Sequence, residues 1–335
     1  MAAGDGMTRY ARQQILPEIG AAGQARIAAT QVLVVGAGGL GVPAIQYLAG
    51  AGVGRITLVD PDRVEETNLH RQPIYGPALG QPKAQVAADF LRALNPAVKV
   101  TPHVAWATPA NAPALVADAD MVLDCADSFA ASYMLSDLCF AARKPLISAS
   151  ALGLSGYVGG FCGGAPSLRA VFPDLPDSLA TCASAGVLGP VVGVLGALQA
   201  QMALAVMLGL TPSPLGQLMR LDLDDYRSSA FRFDAAPEPE APHRFVARTD
   251  VGADDFVADL RDAVEAPIPA APHARRLTVA DFGPGGPLPA PGQRAVLACR
   301  SGLRAWRAAD RLRAVWPGEI ALLADTPDIP EGETR

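Results

Sequence analysis

Cysteine and cationic charge are both scarce in this sequence. The five cysteines stand singly along the chain, at Cys125, Cys139, Cys162, Cys182 and Cys299. An odd number of isolated cysteines does not fit a disulfide framework, so we expect reduced thiols and a cytoplasmic protein. The formal net charge of −6 gives no basic surface of the kind that binds nucleic acid or an anionic membrane.

A signal peptide and a clear membrane span are also missing. Residues 1–6 lack the charged and apolar regions of a signal peptide. The window 186–210 has no charged residue and is long enough to cross a bilayer. However, Pro190, several glycines and two glutamines interrupt it, and it has no cationic flank. We therefore expect a buried helix of a large domain rather than a transmembrane span.

The chain is long and apolar enough for two folded domains. It has 335 residues, of which 50% are hydrophobic, and this composition is typical of a soluble α/β protein. The run 234–242 is rich in proline, alanine and acid, which favours a semi-rigid linker over a packed core. We expect a first domain over 8–233, a linker over 234–243 and a second domain over 244–328.

A nucleotide-binding pattern occupies the stretch 31–60. An apolar, β-branched run predicts a buried strand at 32–35, and a helix is predicted from Val42. Glycines between them let backbone amides approach a phosphate at the helix N-terminus; they are Gly36, Gly38 and Gly41. A second strand ends at Asp60, 19 residues after Gly41, where a carboxylate can accept ribose hydroxyls. We predict a Rossmann-like domain with a mixed, mainly parallel sheet. Glycines that only make a tight turn are the alternative.

Polar and cationic residues after Asp60 favour a triphosphate ligand. Asn68 and Arg71 come next, and a guanidinium binds phosphate oxygens in bidentate fashion. Lys83 stands at the N-terminus of a predicted helix, where the macrodipole disfavours a cation unless a bound polyanion compensates for it. The alternatives are a solvated surface charge for Arg71 and an unpaired surface lysine for Lys83.

Asp127 and Ser128 follow a predicted central strand at 120–124. Ligands of open α/β sheets bind beyond such strand ends, and one carboxylate can hold Mg²⁺ when phosphates fill other positions. An N-cap of the next helix is the alternative for Asp127. Cys182 is predicted in a loop before the long apolar helix, a setting that favours a thiolate. Further strands are predicted at 145–150, 156–162, 168–172, 216–222 and 229–233.

Taken in order, these motifs resemble the ThiF/MoeB/HesA family of ubiquitin-activating-like adenylyltransferases. The matching segments are 9–13, 36–41, Asp60, 68–72, 80–83, Asp127 and 181–182, and they cover about 8–233. The resemblance implies ATP and Mg²⁺ as cofactors and the C-terminal glycine of a ubiquitin-like sulfur-carrier protein as the group that is adenylylated. The implied ATP-binding residues are Gly36, Gly38, Gly39, Gly41, Asp60, Asn68, Arg71, Lys83, Asp127, Ser128 and, supplied in trans within a homodimer, Arg12.

Two departures from the family pattern concern Ser128 and zinc. The family typically has asparagine where this chain has Ser128. It also commonly carries two Cys-x-x-Cys pairs that hold a structural zinc, and this sequence contains none. Because an all-cysteine zinc site needs four thiolate ligands, we predict that the protein binds no zinc.

The C-terminal part resembles a rhodanese domain over about 245–328. Asp259, Arg261 and Glu265 match its early motif, and the segment 299–304 matches its sulfur-accepting loop. Amides at a helix N-terminus and two arginines in that loop would favour a thiolate and a bound sulfur anion at Cys299. A buried structural cysteine is the alternative for Cys299. The implied catalytic residues of the whole chain are Arg71, Lys83, Asp127, Cys182 and Cys299.

These features predict ATP-dependent adenylylation of a sulfur carrier followed by sulfur transfer, in thiamine or molybdenum cofactor biosynthesis. The expected partners are a carrier ending in Gly-Gly, a sulfur donor such as a cysteine desulfurase, and a second copy of the chain, with neither membrane nor nucleic acid. The sequence leaves two other classes open: a nicotinamide-dependent oxidoreductase and an ATP-dependent dehydratase acting on a tRNA base.

Overall fold

A computed structural model describes residues 9–175 and 186–325 of the chain. Its larger sheet has eight strands in the order β3-β2-β1-β4-β5-β6-β7-β8. They are β1 Gln31–Val35, β2 Arg55–Val59, β3 Lys99–His103, β4 Met121–Asp124, β5 Pro145–Leu152, β6 Ser155–Cys162, β7 Gln217–Asp222 and β8 Arg227–Arg232. The first five are parallel and the last three pair antiparallel. This confirms the predicted mixed, mainly parallel sheet.

The chain reverses its direction across the sheet between β1 and β4. From β1 it builds outward through β2 to β3, and it then returns to place β4 on the other side of β1. The loops that follow β1 and β4 therefore lie side by side beyond the carboxyl ends of the strands. A crevice forms at such a switch point, and that is where open α/β sheets bind ligands.

Helices cover both faces of this sheet. They are α1 Ala11–Gln14, α2 Gly20–Ala29, α3 Gly41–Ala51, α4 Lys83–Leu94, α5 Ala112–Ala117, α6 Phe129–Ala141, α7 Leu168–Val171 and α8 Gly189–Leu208. Val32 and Val34 pack with α2, α3, α4 and α8, whereas Leu33 and Val35 pack with α5, α6 and α7. Successive side chains of a strand point to opposite faces, so a strand covered on both faces is apolar throughout.

Helix α8 is the long apolar segment considered as a membrane span. It is the one helix within 9–175 and 186–325 that is long and apolar enough to cross a bilayer. In the fold it packs on α3, β5 and β6. Its buried Gln199 donates to the carbonyl oxygen of Asp124 at 2.8 Å. The helix therefore lies in the protein core, as predicted.

The predicted strand at 168–172 is wrong. This segment begins with helix α7, where the side chain of Ser167 caps the first turn by accepting the amide of Arg169 at 3.1 Å. Arg169 forms an ion pair with Asp137 of α6 at 2.6 Å. Tertiary contacts thus override an apolar, β-compatible sequence of four residues.

The C-terminal part forms a second, parallel sheet of five strands in the order β11-β10-β12-β13-β9. Its elements are β9 Arg244–Phe245, β10 Phe256–Asp259, β11 Arg275–Arg276, β12 Ala295–Cys299, β13 Ile320–Ala324 and helix α9 Leu303–Arg313. We call residues 9–233 the N-terminal unit and residues 244–325 the C-terminal unit. The sequence patterns at 256–261 and 294–299 predict two strands in this region, and strands β10 and β12 lie within them.

The segment between the units is anchored to the protein rather than extended into solvent. The carboxylate of Glu238 accepts the amide and the hydroxyl of Ser167 at 2.7 and 2.6 Å. His243 is buried, and its ring lies 2.9 Å from a carboxylate oxygen of Asp310 on α9. The composition of 234–243 predicts a semi-rigid linker, and in the structure side-chain hydrogen bonds fix this segment in place.

Candidate functional site

The glycine loop after β1 is shaped by close backbone packing. Gly36 has φ +100°, and a Cβ there would lie 2.5 Å from the carbonyl oxygen of Cys125. A Cβ on Gly41 would lie 2.0 Å from the carbonyl oxygen of Gly36. Any larger residue at these two positions would displace the loop. Gly36, Gly38 and Gly39 line a cavity at the N-terminal end of α3.

Asp60, at the end of β2, faces the same cavity and holds the glycine loop. Its carboxylate accepts the amides of Ala37 at 2.7 Å and Asp62 at 2.8 Å. Burial, and next the charge of the neighbouring Asp62, raise the pKa of this carboxyl, and against the lowering effect of Lys83 it reaches about 6. A carboxyl with this pKa changes its charge just below neutral pH.

The cationic residues predicted for phosphates lie along one wall of this cavity. Arg71 donates to the side-chain oxygen of Asn68 at 2.8 Å. Lys83 is 4% exposed and forms an ion pair with Asp62 at 2.9 Å. The alternative of an unpaired surface lysine is therefore wrong, and Arg71 is half-buried rather than fully solvated.

Two buried polar atoms beside the glycine loop bear on what the cavity can bind. The side chain of Gln72 is 2% exposed, and its Oε1 has no hydrogen-bond partner among the described residues. Its Nε2 lies 3.6 Å from where a Cβ of Gly38 would be. This unpartnered acceptor suits a ligand that carries a hydrogen-bond donor, such as a hydroxyl or amino group of a nucleotide, whereas the cations suit its phosphates.

Asp127 follows β4 and exposes its carboxylate to the cavity. The alternative role as a helix N-cap is wrong, because Ser128 caps α6 by accepting the amide of Ala131 at 3.5 Å. Asp124, the last residue of β4 before this loop, is fully buried, and its carboxylate accepts the hydroxyl of Ser148 at 2.8 Å. Burial raises the pKa of Asp124. Asp127 is thus free of the capping role that would compete with a cation.

The cavity has a volume of about 1030 Å³ and continues from the glycine loop to the C-terminal unit. Its far wall is lined by Phe245, Glu265, Arg300, Ser301, Leu303, Arg304 and Ala324. The predicted nucleotide-binding residues and the predicted sulfur-accepting loop therefore face one connected space. The sequence predicted both groups of residues but not that they would meet.

Cys299 ends β12, and the loop that follows it forms part of the cavity wall. The thiol is fully buried and accepts the amides of Gly302 at 3.2 Å and Ala305 at 3.4 Å. Arg304 pairs with Glu265, which raises the pKa of Arg304, and Cys299 contributes to the same shift. Amides converging on one sulfur can stabilise a thiolate.

The early motif of the C-terminal unit is connected to this loop. Asp259 is fully buried and accepts two hydrogen bonds from the guanidinium of Arg261, both at 2.9 Å. Glu265, six residues after Asp259, reaches Arg304 in the cysteine loop. The acid–arginine pair therefore holds the strand end, and the glutamate positions an arginine beside Cys299.

Among the described residues that the sequence predicted for the site, Arg12, Gly41 and Cys299 do not line the cavity themselves. Arg12 lies in α1, is exposed, and is not among the residues that line the cavity of this single chain. Cys182 lies outside the described residues. The prediction of a residue supplied in trans is untested by one chain, and so is the role of Cys182.

Some residues of the cavity were missed from the sequence. Asp62 pairs with Lys83, and the loop after β3 contributes Trp106, Ala107, Thr108 and Pro109. The spacing of Asp62, two residues after Asp60, was a usable signal for a second acid at the strand end. Neither β3 nor the loop that follows it was predicted from the sequence.

Zinc content remains a prediction that measurement can test. Within the described residues no group of three or more His, Cys, Asp or Glu side chains could hold a metal ion. Elemental analysis of purified, tag-free protein is expected to give well under one zinc per chain. Stoichiometric zinc that survives dialysis against a chelator would contradict this.

Comparisons with known proteins agree with this architecture. The model of the ThiF family matches residues 10–243. The chain is 49% identical over 222 residues to an adenylyltransferase and sulfurtransferase MOCS3 of Sus scrofa, covering 65% of this chain and 49% of that protein. It is 47% identical over 221 residues to an adenylyltransferase and sulfurtransferase uba4 of Pyricularia oryzae, covering 62% and 45%. The chain thus spans about half the length of the curated relatives it matches.

A solved structure shares the fold. E. coli MccB, in its crystal structure with MccA-N7isoASN, superposes with a TM-score of 0.61 at 23% identity. The superposition covers 69% of this chain and 73% of the MccB chain. At this identity the likeness concerns the fold.

Proposed function

This chain belongs to the ThiF family, and from that premise we propose that it is an ATP-dependent adenylyltransferase of a ubiquitin-like sulfur carrier that also passes sulfur to that carrier. The observation that supports this best is the single cavity lined by Asp60, Arg71, Lys83 and Asp127 at one end and by the cysteine loop at the other. The relatives named adenylyltransferase and sulfurtransferase support both halves of the activity.

The first step would be attack of the carrier's C-terminal carboxylate on the α-phosphorus of ATP. A phosphorus–oxygen bond to the β-phosphate breaks, and pyrophosphate leaves with the electron pair. Lys83 and Arg71 would neutralise the growing charge on the pyrophosphate, and positioned cations of this kind provide much of the catalysis in phosphoryl chemistry. Asp127 would hold Mg²⁺, which supplies charge neutralisation at the phosphates when it is bound.

The second step would be displacement of AMP by sulfur. A sulfur donor such as a cysteine desulfurase first loads Cys299 as a persulfide. The terminal sulfur attacks the carbonyl carbon, the bond to the AMP oxygen breaks, and an acyl disulfide forms. A second thiolate then attacks the sulfur of Cys299 and forms a disulfide with it, and the thiocarboxylate leaves with the electron pair of the broken S–S bond. A thiol reductant converts this disulfide back to two thiols before the next cycle. Cys182 is a candidate for that thiol.

The assembly and the cellular setting belong to the same proposal. We place the active enzyme as a cytoplasmic homodimer in which Arg12 of each chain serves the other chain's site. The exposed Ile15 and Leu16 beside Arg12 are 76% and 51% exposed, which fits a surface covered by a second copy. The carrier would belong to thiamine or molybdenum cofactor biosynthesis, and a pull-down with a carrier ending in Gly-Gly decides between them.

Carrier-dependent exchange of pyrophosphate into ATP tests the adenylylation directly. We expect exchange only when ATP, Mg²⁺ and the carrier are all present. If no exchange occurs and the protein instead transfers hydride to a nicotinamide cofactor, this proposal is wrong and the protein is an oxidoreductase. The cations that line the cavity disfavour that outcome, because the ribose acid of a dehydrogenase has no phosphate-binding cations of this kind beside it.

Nucleotide affinity is expected to depend on pH through Asp60. Ribose hydroxyls donate to the ionised carboxylate, and the pKa of this carboxyl is raised to about 6. Affinity should therefore be level above about pH 7 and fall below pH 6, approaching tenfold per pH unit. Calorimetric titration with adenosine over pH 5–8 measures this affinity. Adenosine is used because it has no phosphate group that would itself change protonation over this range.

The variant Asp60→Asn is the control for this pH dependence. It keeps a side-chain oxygen acceptor but has no titrating group, so its affinity for adenosine should be lower at pH 8 and nearly independent of pH. A parent protein whose adenosine affinity stays constant from pH 8 to pH 5 would show that Asp60 does not bind ribose in its ionised form.

A further inference from the structure

Arg169 of α7 is a buried cation outside the cavity. Its residue is 3% exposed, and its guanidinium makes two hydrogen bonds to the carboxylate of Asp137 on α6, at 2.6 and 2.9 Å. Paired N–H groups matched to one carboxylate give both strength and a fixed orientation. None of the chemistry described above uses Arg169, and nothing in the sequence singled it out.

The same guanidinium also reaches the segment that joins the units. One of its nitrogens donates to the carbonyl oxygen of His243 at 2.8 Å. His243 in turn is paired with Asp310 on α9, and strand β9 begins at the next residue. Arg169 therefore connects the N-terminal unit to the point where the C-terminal unit begins.

Aromatic rings from both units complete the site around Arg169. Its guanidinium carbon lies 4.8 Å from the ring centre of Tyr133 on α6 and 5.3 Å from that of Trp306 on α9. The two rings contact each other, with centres 5.0 Å apart. A cation over aromatic faces that are shielded from water is a substantial attraction. Phe129 and Phe245 extend the same apolar contact.

This junction stands next to the cavity that the two units share. Tyr133, which contacts Arg169, and Leu168, which precedes it in the chain, belong to the cavity lining. Phe129, whose ring contacts those of Tyr133 and Trp306, lines it as well. On the other side of the junction, α9 starts at Leu303 in the cysteine loop. Any shift of α9 relative to α6 would therefore move the cysteine loop away from the nucleotide end.

We propose that Arg169 is a positioning residue that docks the C-terminal unit on the N-terminal unit, so that sulfur passes from Cys299 to the activated carrier within one closed cavity. This inference rests on the proposed function. In this fixed arrangement the carrier's extended C-terminal tail lies between the two ends of the cavity. Fixed proximity converts the transfer into an intramolecular step.

The test compares the parent with Arg169→Met/Asp137→Asn, which removes both charges and so leaves no unpaired buried ion. Four quantities are measured: carrier-dependent pyrophosphate exchange, thiosulfate sulfurtransferase activity, thiocarboxylate formation driven by thiosulfate, and thiocarboxylate formation driven by free sulfide. Sulfide displaces AMP directly and needs no Cys299. We expect the thiosulfate-driven formation to fall at least tenfold, while the other three stay within about twofold of the parent.

Small-angle scattering supplies a readout that catalysis does not affect, since undocking should increase the radius of gyration. Arg169→Lys keeps the charge beside Asp137 but loses the paired hydrogen bonds. The radius of gyration of Arg169→Lys and its thiosulfate-driven rate are expected to lie between those of the parent and the double variant. If the double variant does not fold, Arg169→Lys takes its place in the test. Arg92→Ala, which removes an exposed arginine paired with Asp89 on α4, is the matched control and should behave as the parent.

Two results would overturn the proposal. One is a variant with an enlarged radius that still makes thiocarboxylate from thiosulfate at the parental rate. The other is an equal fall in all four activities, which would show that Arg169 serves only the stability of the fold. A parent protein without carrier-dependent exchange would instead refute the proposed function, and the scattering comparison would still report on docking.

Discussion

Replacing Lys83 by alanine is expected to lower carrier-dependent ATP–pyrophosphate exchange about a hundredfold. Removing one donor to a transition-state charge in a shielded site raises the barrier by about 3 kcal/mol, and Lys83 is almost completely buried at the cavity wall. The protein should stay folded, because Asp62, the partner left behind, has a side chain 54% exposed to water. Initial rates at pH 8 are the measurement, since Lys83 lowers the pKa of Asp60 and its loss would shift that titration upward.

Lys99→Ala is the matched control, because Lys99 is an exposed lysine on β3. It should exchange pyrophosphate at the parental rate. The Arg71→Ala protein is expected to lose pyrophosphate exchange to an extent similar to Lys83→Ala, because both cations line the same wall of the cavity. Near-parental exchange in Lys83→Ala would remove this lysine from the mechanism and leave it as a structural partner of Asp62.

The same variant tests the supply of Arg12 across a dimer. Mixing Arg12→Ala protein with Lys83→Ala protein should restore part of the exchange activity, since each mixed dimer would contain one intact site. Exchange of subunits is verified by native mass spectrometry. If subunits exchange and no activity returns, Arg12 does not act in trans.

Replacing Cys299 by alanine should separate the two activities of the proposed enzyme. Pyrophosphate exchange should remain within about twofold of the parent, because the adenylylation residues lie at the other end of the cavity. Thiosulfate sulfurtransferase activity and thiocarboxylate formation on the carrier should be lost, because the persulfide has no sulfur to form on. Intact-mass spectrometry of the carrier after incubation with ATP and thiosulfate measures the product directly.

Cys139→Ala is the control for loss of a buried thiol as such. Cys139 is fully buried in α6, in the apolar layer formed with α5 and α7, so its loss should affect stability more than sulfur transfer. Thiocarboxylate formation at the parental rate by Cys299→Ala would identify Cys299 as a structural cysteine and assign sulfur donation to another protein.

Local patterns in the sequence were sufficient for the nucleotide end of the site. The run of β-branched residues before Gly36 specifies a strand covered on both faces, and Gly36 and Gly41 are required because a side chain would collide with backbone atoms there. Asp60 follows from its distance along the chain. Each of these features arises from neighbouring residues, and for that reason it can be read without knowledge of the rest of the fold.

Contacts between distant residues decided the rest. The short segment at α7 is helical, although its sequence is compatible with a strand, because the neighbouring Ser167 caps it and Arg169 pairs with Asp137, 32 positions away. The segment 234–243 has the composition of a linker, yet Glu238 and His243 anchor it to residues more than 60 positions away. Lys83 pairs with Asp62, 21 positions before it in the chain, and the residues next to Lys83 do not reveal this ion pair.

By itself, the sequence determined the mixed α/β class, the nucleotide loop and its acid, the two cations and the cysteine loop, because each depends on local propensity and spacing. Only the tertiary structure decided that the cysteine loop and the nucleotide end line one cavity. That arrangement results from packing α9 against α6 around Arg169. Packing of this kind depends on side chains that are far apart in the chain, and no local pattern encodes it.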